Sequence, residues 1–214
     1  MIGLLGGTFD PVHLGHIQMA LEAKQCLNLA EVRLMPCHQP PHREQPQLTS
    51  EQRVCLLQLA IEGIDGLSID DREMRREGPS YTVDTLKDLR KELGPDVSIV
   101  LLMGADAYAS LTQWHRWQEL LKLAHIGVFL RPGFVLPASG ILSDLLNDSD
   151  VSDIEKKVAG SVVALNQKQV DISATEIRRQ LAAEEVPSQL AQNVYEYIIN
   201  NQLYKSRENV VNDN

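Results

Sequence analysis

The chain has 214 residues, of which 43% are hydrophobic and 23% are charged, a balance typical of a globular protein. Its formal net charge of −9 argues against a nonspecific nucleic-acid binder or a protein drawn to acidic membranes, because both carry a basic excess. No run of about 18 apolar residues predicts a membrane span, and no basic stretch precedes the first apolar residues as in a signal peptide. The cysteines Cys26, Cys37 and Cys55 form no paired motif, which favours a reducing cytoplasm over disulfides or a zinc cluster.

Short apolar runs alternate with helical patterns along the first 130 residues. Strands are predicted at 1–5, 31–36, 67–70, 97–103 and 125–130, and helices at 15–27, 50–62, 82–93 and 114–122. Residues 133–153 predict a loop with a short helix near 142–146, and a strand at 162–172 and helices at 173–183 and 188–200 follow. Ser50 is predicted to cap the second helix.

This order of elements predicts an α/β fold with a doubly wound, mostly parallel sheet and helices on both faces. The length suits a single domain, which we place at residues 1–204 and which ends in a small helical C-terminal part. Residues 205–214 are polar and are predicted to form a disordered tail.

The most informative stretch follows the first predicted strand and reads GGTFDPVHLGH over residues 6–16. Glycines let a backbone approach a phosphate closely, and the helix start supplies unpaired N–H donors with a partial positive charge. His13 and His16 are three residues apart and therefore share one helical face. The stretch predicts a site for nucleotide phosphates, in which Asp10 orders the loop rather than binding a metal.

Plainer explanations exist for the residues in these motifs. Two histidines at this spacing also suit a metal pair or a helix cap, although no third ligand lies nearby in the sequence. Ser173 and Glu176 fit a capping box at the start of a helix. Arg178 lies near the positive end of that helix, where a cation is unfavourable, and a bound anion would relieve the conflict.

Together the motifs resemble those of the HxGH nucleotidylyltransferases and, among them, of the bacterial nicotinate-nucleotide adenylyltransferases. Besides residues 6–16, the resemblance is carried by PPHR at 40–43, PSYT at 79–82, GAD at 104–106, TQW at 112–114 and ISATEIR at 172–178. It extends to about Tyr204 and implies a Rossmann-like nucleotidylyltransferase fold. The implied activity joins the AMP moiety of ATP to nicotinate mononucleotide, giving deamido-NAD and pyrophosphate in NAD biosynthesis, with Mg²⁺ accompanying ATP.

The resemblance also assigns residues to the ATP side of the site. His13, His16 and Arg178 are implied as catalytic residues that stabilise the triphosphate and the transition state. Asp106 follows a buried strand, and the resemblance places it on a ribose or nucleotide, although the residue suits a helix cap equally well. The complete set of implied ATP ligands is Gly6, Gly7, Thr8, Phe9, Asp106, Ser173, Thr175 and Arg178.

The acceptor side is assigned in the same way. Trp114 is implied to stack on the pyridine ring, and backbone donors at Tyr81 and Thr82 are implied to hold the nicotinate carboxylate. His42 and Arg43 are placed near the substrate, with Arg43 neutralising the mononucleotide phosphate where the family often carries lysine. Residues 40–43 could equally form a plain solvent loop.

Several alternatives stay open at this stage. A sister enzyme could act on nicotinamide mononucleotide or phosphopantetheine, a silent sensor could bind nucleotides without catalysis, and the histidines could hold a metal. Tryptophans at helical spacing are more often core than platform, and we assign Trp117 to the core. No protein side chain is predicted as a metal ligand. The expected partners are the two small-molecule substrates, without nucleic acid or membrane, and a homo-oligomer is left open.

Overall fold

A computed structural model of the chain describes residues 1–38, 45–76, 78–130, 139–147, 150–166 and 172–205. Its strands form one sheet in the order β3-β2-β1-β4-β5-β6, and every neighbouring pair is parallel. The strands are β1 (Ile2–Gly7), β2 (Glu31–Pro36), β3 (Leu67–Ile69), β4 (Ile99–Gly104), β5 (His125–Leu130) and β6 (Val162–Asn166). The predicted doubly wound α/β class is therefore confirmed.

Helices cover both faces of the sheet. They are α1 (Leu14–Cys26), α2 (Ser50–Ile61), α3 (Thr82–Leu93), α4 (Ala105–Ala109), α5 (Trp117–Leu123), α6 (Ile141–Asn147), α7 (Val151–Lys156), α8 (Ala174–Ala182) and α9 (Gln192–Asn200). Buried residues of α1, α2, α7, α8 and α9 share one apolar core cluster, and those of α3, α4, α5 and α6 share another. No helix in the described ranges is both long and apolar enough to span a membrane.

The strand order places a crevice beside β1. The chain moves outward from β1 through β2 to β3 and then returns to pair β4 with the other side of β1. Gly7 pairs in register with Pro36, and Leu5 pairs with Leu102, so β1, β2 and β4 end at the same edge. Ligands of such sheets bind beyond the carboxyl ends of the strands at this reversal point.

Several element boundaries differ from the sequence prediction. Thr49 rather than Ser50 caps α2, because its hydroxyl accepts from the Gln52 backbone N–H and the Gln52 side chain accepts from the Thr49 N–H. The helix predicted from residue 114 begins at Trp117, because Arg116 has a φ of 53° and a 3₁₀ turn occupies Leu111–Gln113. Residue 172, predicted to end the last strand, lies outside any strand.

Besides the 3₁₀ turn at Leu111–Gln113, three further short segments were not predicted. They are the 3₁₀ turn at Arg72–Arg75 and the helices α4 and α7, each with six residues or fewer. Segments this short contain too few residues for an apolar period to develop. The predicted tail beyond residue 205 lies outside the described residues.

His125 is a fully buried histidine at the start of β5. Its Nδ1 accepts from the Ser161 backbone N–H at 3.1 Å, and its Nε2 donates to the Lys157 carbonyl oxygen at 3.1 Å. These partners require the neutral ring with its proton on Nε2. Burial lowers the pKa of His125, while the bond to Lys157 opposes the change.

We expect His125 to make folding pH-dependent. Because the pKa is lower in the folded chain, its contribution is complete above the ordinary value of about 6.5 and is lost as the pH falls below it. Urea denaturation between about pH 8 and pH 5 measures the free energy of unfolding. In the variant His125→Asn, which keeps a neutral acceptor, the free energy of unfolding should decline less steeply as the pH falls. The same decline in both proteins would contradict a contribution of His125.

Candidate active site

The turn between β1 and α1 depends on close packing of an aromatic ring beneath its glycines. Phe9 is buried and adopts the left-handed conformation, with a φ of 50°. A Cβ on Gly7 would lie 2.9 Å from the Phe9 ring, so only glycine fits there. Gly6 is exposed, whereas Gly7 and Thr8 are partly buried. The motif thus forms the predicted turn at the carboxyl edge of the sheet.

His13 and His16 lie together at the start of α1. Their rings stack with centroids 3.7 Å apart, and the His16 ring meets the Phe9 ring edge-on at 4.9 Å. The His13 backbone N–H donates to His16 Nδ1 at 3.3 Å, so a neutral His16 carries its proton on Nε2. Gly15 leaves room for this pair, since a Cβ there would lie 3.1 Å from His13 Nδ1.

Asp10 ties this turn to two distant segments. Its buried carboxylate accepts from the Tyr204 hydroxyl at 2.6 Å and from the Gln47 backbone N–H at 2.8 Å. Burial and the Asp10 carboxylate together raise the pKa of Tyr204, which keeps the phenol protonated. Asp10 therefore orders the loop, as its sequence context predicts.

The start of α8 contacts the same turn. Arg178 Nη1 donates to the Asp10 carbonyl oxygen at 2.7 Å across 168 residues of sequence, and its Nη2 donates to Thr175 Oγ1 at 3.3 Å. The structure thus brings together two motifs that only the family resemblance had linked. Ser173 and Thr175 are exposed at this helix start.

The predicted capping box at α8 is wrong. Ser173 occupies the N-cap position, but its side chain makes no capping hydrogen bond. Glu176 pairs with Arg179 at 2.6 Å instead of folding back onto the Ser173 backbone. An ion pair within the helix has replaced the cap, and the hydroxyl of Ser173 is not used to cap the helix.

Asp106 lies where the sequence predicts, just beyond the end of β4. It is exposed in the first turn of α4, and Gly104 rather than Asp106 occupies the N-cap position of that helix. The alternative of a capping role for Asp106 is therefore excluded. The carboxylate lies at the edge of the sheet where β1 and β4 end.

The two segments predicted to hold the pyridine ring are in contact. Tyr81 occupies the N-cap position of α3, and Thr82 is the first residue of that helix. The Tyr81 ring lies 4.4 Å from the ring of His115. Trp114 precedes His115 and is half-buried, as is Trp117, and both pack against the apolar core of that face. The aromatic surface that Trp114 can offer a ligand is therefore partial.

The loop after β2 completes the neighbourhood of the site. The His38 backbone N–H donates to Ser80 Oγ at 3.1 Å, and its Nδ1 lies 3.0 Å from Ser50 Oγ. These contacts join the end of β2 to the starts of α2 and α3. The predicted ligands His42 and Arg43 lie outside the described residues.

The burial of two charged residues near the site was not predicted from the sequence. Glu73 is 3% exposed and accepts from Thr85 Oγ1 at 2.7 Å; burial raises its pKa, while the bonds from Thr85 and Ser80 oppose that rise. Arg53 is 1% exposed and contacts the turn after β1. Glu73 occurs in a charge-rich segment that looks solvent-exposed, so no sequence signal distinguished it. Arg53 precedes the buried Leu56 and Leu57 by three and four residues, and this helical spacing was the signal that could have shown its burial.

The donors gathered at this turn are of the kind that bind polyanions. Two imidazoles, one guanidinium and the N–H groups of two helix starts converge on the turn at residues 6–16. Within the described ranges, no group of three or more histidine, cysteine or acidic side chains could hold a metal ion. Such an arrangement can neutralise phosphate charge without a protein-held metal.

Comparisons with known proteins identify relatives of this chain. A family model described as cytidylyltransferase-like matches residues 4–180. A probable nicotinate-nucleotide adenylyltransferase of Cellvibrio japonicus (strain Ueda107) is 48% identical over 207 residues, which span 95% of this chain and 98% of that protein. One of Dechloromonas aromatica (strain RCB) is 44% identical over 212 residues, spanning 96% of this chain and 98% of that protein.

The fold has a counterpart among solved structures. Plasmodium falciparum nicotinic acid mononucleotide adenylyltransferase, solved in complex with NaAD, gives a TM-score of 0.72 at 20% sequence identity. The similarity covers 95% of this chain and 96% of that one. At this identity the comparison concerns the fold alone.

Proposed function

Because the chain belongs to the cytidylyltransferase-like family and, within it, to the nicotinate-nucleotide adenylyltransferases, we propose that it adenylylates nicotinate mononucleotide with ATP. The products are deamido-NAD and pyrophosphate. The observation that carries this proposal is the junction of the two helix starts, where Arg178 of α8 donates to the Asp10 carbonyl in the turn before α1. That junction gathers the donors for a triphosphate beside the reversal point of the sheet.

The protein has little covalent chemistry to perform in this reaction. A phosphate oxygen of nicotinate mononucleotide attacks the α-phosphorus of ATP, the bond from that phosphorus to the bridging oxygen breaks, and pyrophosphate carries away the electron pair. Negative charge grows on the phosphate oxygens in the transition state. Catalysis therefore consists mainly of positioning and of donors aimed at those oxygens.

We assign the α-phosphate to the turn and the histidine pair. Nε2 of His16 can donate to a developing phosphate charge, since its Nδ1 already accepts from the His13 backbone. Stacking fixes the ring of His13 against that of His16, so both imidazoles are preorganised. Backbone and hydroxyl groups of Gly6, Gly7, Thr8 and Phe9 complete this half of the receptor.

The β- and γ-phosphates are assigned to the start of α8. Exposed hydroxyls of Ser173 and Thr175 and the positive helix end are available there. Arg178 lies between this helix start and the turn, and contacts both. Its charge can stabilise pyrophosphate as it leaves.

The acceptor is assigned to the opposite side of the crevice. Backbone donors at Tyr81 and Thr82 suit a carboxylate, because they open α3. The half-buried ring of Trp114 suits one face of the pyridine, and the exposed carboxylate of Asp106 suits ribose hydroxyls. His42 and Arg43 are further proposed ligands, with Arg43 on the mononucleotide phosphate.

A magnesium ion fits the site as a companion of ATP. Mg²⁺ keeps most of its water shell and is commonly held by substrate phosphates, with few protein ligands. The described donors of the turn and of α8 are N–H, imidazole, guanidinium and hydroxyl groups, which suit phosphate oxygens rather than a cation. When bound, Mg²⁺ would neutralise phosphate charge. The three cysteines form no disulfide bond within the described residues, and we propose the reducing cytoplasm as the compartment.

Replacing the imidazole of His16 tests the catalytic assignment. We expect His16→Ala to lower kcat by about 10²- to 10³-fold, because a positioned donor to the transition state is lost. Pyrophosphate release measures the rate, and thermal unfolding checks the fold. Gln25→Ala, an exposed change on the same helix, is the matched control. Near-normal turnover of His16→Ala would refute the role.

A comparison of acceptors tests which mononucleotide is the substrate. We expect kcat/KM to be highest for nicotinate mononucleotide, because the donors at the start of α3 bind a carboxylate, with its negative charge and two acceptor oxygens, more strongly than an amide. Trp114→Ala should raise KM for this acceptor about tenfold and leave KM for ATP unchanged, and Trp114→Phe should retain most of the affinity. A preference for nicotinamide mononucleotide or phosphopantetheine would overturn the assignment.

A further inference from the structure

Arg53 is a buried cation without an acidic partner in the part of the chain that the structure describes. It lies in the first turn of α2 and is 1% exposed. Its Nη1 donates to the carbonyl oxygens of Thr8 at 2.8 Å and Cys37 at 2.7 Å, and its Nη2 donates to Ser50 Oγ at 3.4 Å. Its Nε has no hydrogen-bond partner among the described residues. Burying a charge in this way is costly, so stability alone does not account for the residue.

The contact with Thr8 fixes the orientation of one peptide in the turn at residues 6–16, which we call the phosphate turn. In a planar trans peptide the carbonyl oxygen and the following N–H point in opposite directions. Because Arg53 holds the Thr8 carbonyl, the Phe9 N–H must point away from the guanidinium. Phe9 also adopts a strained left-handed conformation, with a φ of 50°, which needs support from its surroundings.

A second guanidinium binds another carbonyl oxygen of the same turn, two residues further along the chain. Arg178 holds the Asp10 carbonyl oxygen at 2.7 Å. Carbonyl oxygens repel phosphates, and N–H groups attract them. With the Thr8 and Asp10 oxygens each bound to a cation, neither carbonyl repels an anion. The Thr8–Phe9 peptide can then present its N–H to the anion, whereas the Asp10–Pro11 peptide has no N–H to present.

We propose that Arg53 is a positioning residue for ATP. It holds the Thr8–Phe9 peptide so that its N–H faces the triphosphate, and its buried positive charge lies beneath the same site. This proposal rests on the function proposed above and extends it to a residue outside the family motifs. The competing role is a structural link between the turn and residue 37.

Arg90 provides a control with similar chemistry. Like Arg53, it donates to backbone carbonyl oxygens, here those of Leu123 at 2.7 Å and Val158 at 3.1 Å. It lies near the C-terminal end of α3, and Leu123 ends α5, so these contacts hold neither the phosphate turn nor the start of α8. Burial lowers the pKa of Arg90. Removing it should affect stability without affecting the affinity for ATP.

The test compares Arg53→Met, Arg53→Lys and Arg90→Met in the full chain. Calorimetry measures the Kd for ATP with Mg²⁺, pyrophosphate release measures kcat and both KM values, and thermal unfolding measures stability. We expect Arg53→Met to raise the Kd and KM for ATP about 10- to 100-fold, with KM for the acceptor changed less than about threefold. Arg53→Lys, which keeps the charge, should recover part of the loss. Arg90→Met should lower Tm and leave both constants unchanged.

Three results would overturn the proposal. The first is an unchanged Kd for ATP in Arg53→Met, the second is an equal rise in KM for ATP and for the acceptor, and the third is failure of both Arg53 variants to fold. A structural role alone would explain each of these results. The proposed function fails separately if the wild-type chain binds ATP but releases no pyrophosphate with any acceptor. Because calorimetry requires no turnover, the positioning of ATP by Arg53 remains measurable in that case.

Discussion

The organisation of the site depends on how the turn between β1 and α1 is held from several sides. The carboxylate of Asp10 binds Tyr204 near the C-terminal end and the backbone of Gln47, while its carbonyl oxygen binds Arg178. These contacts join segments far apart in sequence at one loop. The starts of α1 and α8 consequently face the same crevice, and their donors can act on one polyanion.

Four arginines among the described residues form two pairs that differ in their acceptors. Arg53 and Arg178 bind carbonyl oxygens at the phosphate turn, which leaves their positive charge available to a ligand. Arg33 and Arg72 line a cavity of about 380 Å³ near β3, where Asp70 and Glu92 pair with them. That cavity is internally neutralised, whereas the phosphate turn concentrates cations in a chain with a net charge of −9. We take the guanidinium groups of Arg53 and Arg178 at this turn, and not the size of a cavity, as the feature that marks the proposed site.

The sequence predicts those features that depend on neighbouring residues. Alternation of apolar runs and helical patterns was enough for the parallel sheet, and the glycine turn with its histidine spacing located the start of α1. Contacts between distant segments could not be predicted from the sequence. Glu73 lies in a charge-rich segment, and the spacing of Arg53 to Leu56 and Leu57 indicates its burial but not the carbonyl oxygens that it binds. The capping-box pattern at Ser173 failed because Arg179 competes for the Glu176 carboxylate. The link between Arg178 and the turn was available only through the family resemblance.

The most direct test of this account is a crystal structure with a non-hydrolysable ATP analogue bound. We expect the phosphates within about 3.5 Å of His16 Nε2 and of a backbone N–H in residues 7–9, with the terminal phosphates at the start of α8. The Thr8 carbonyl should still face Arg53. Phosphates bound elsewhere, for example between Arg33 and Arg72, would contradict the account.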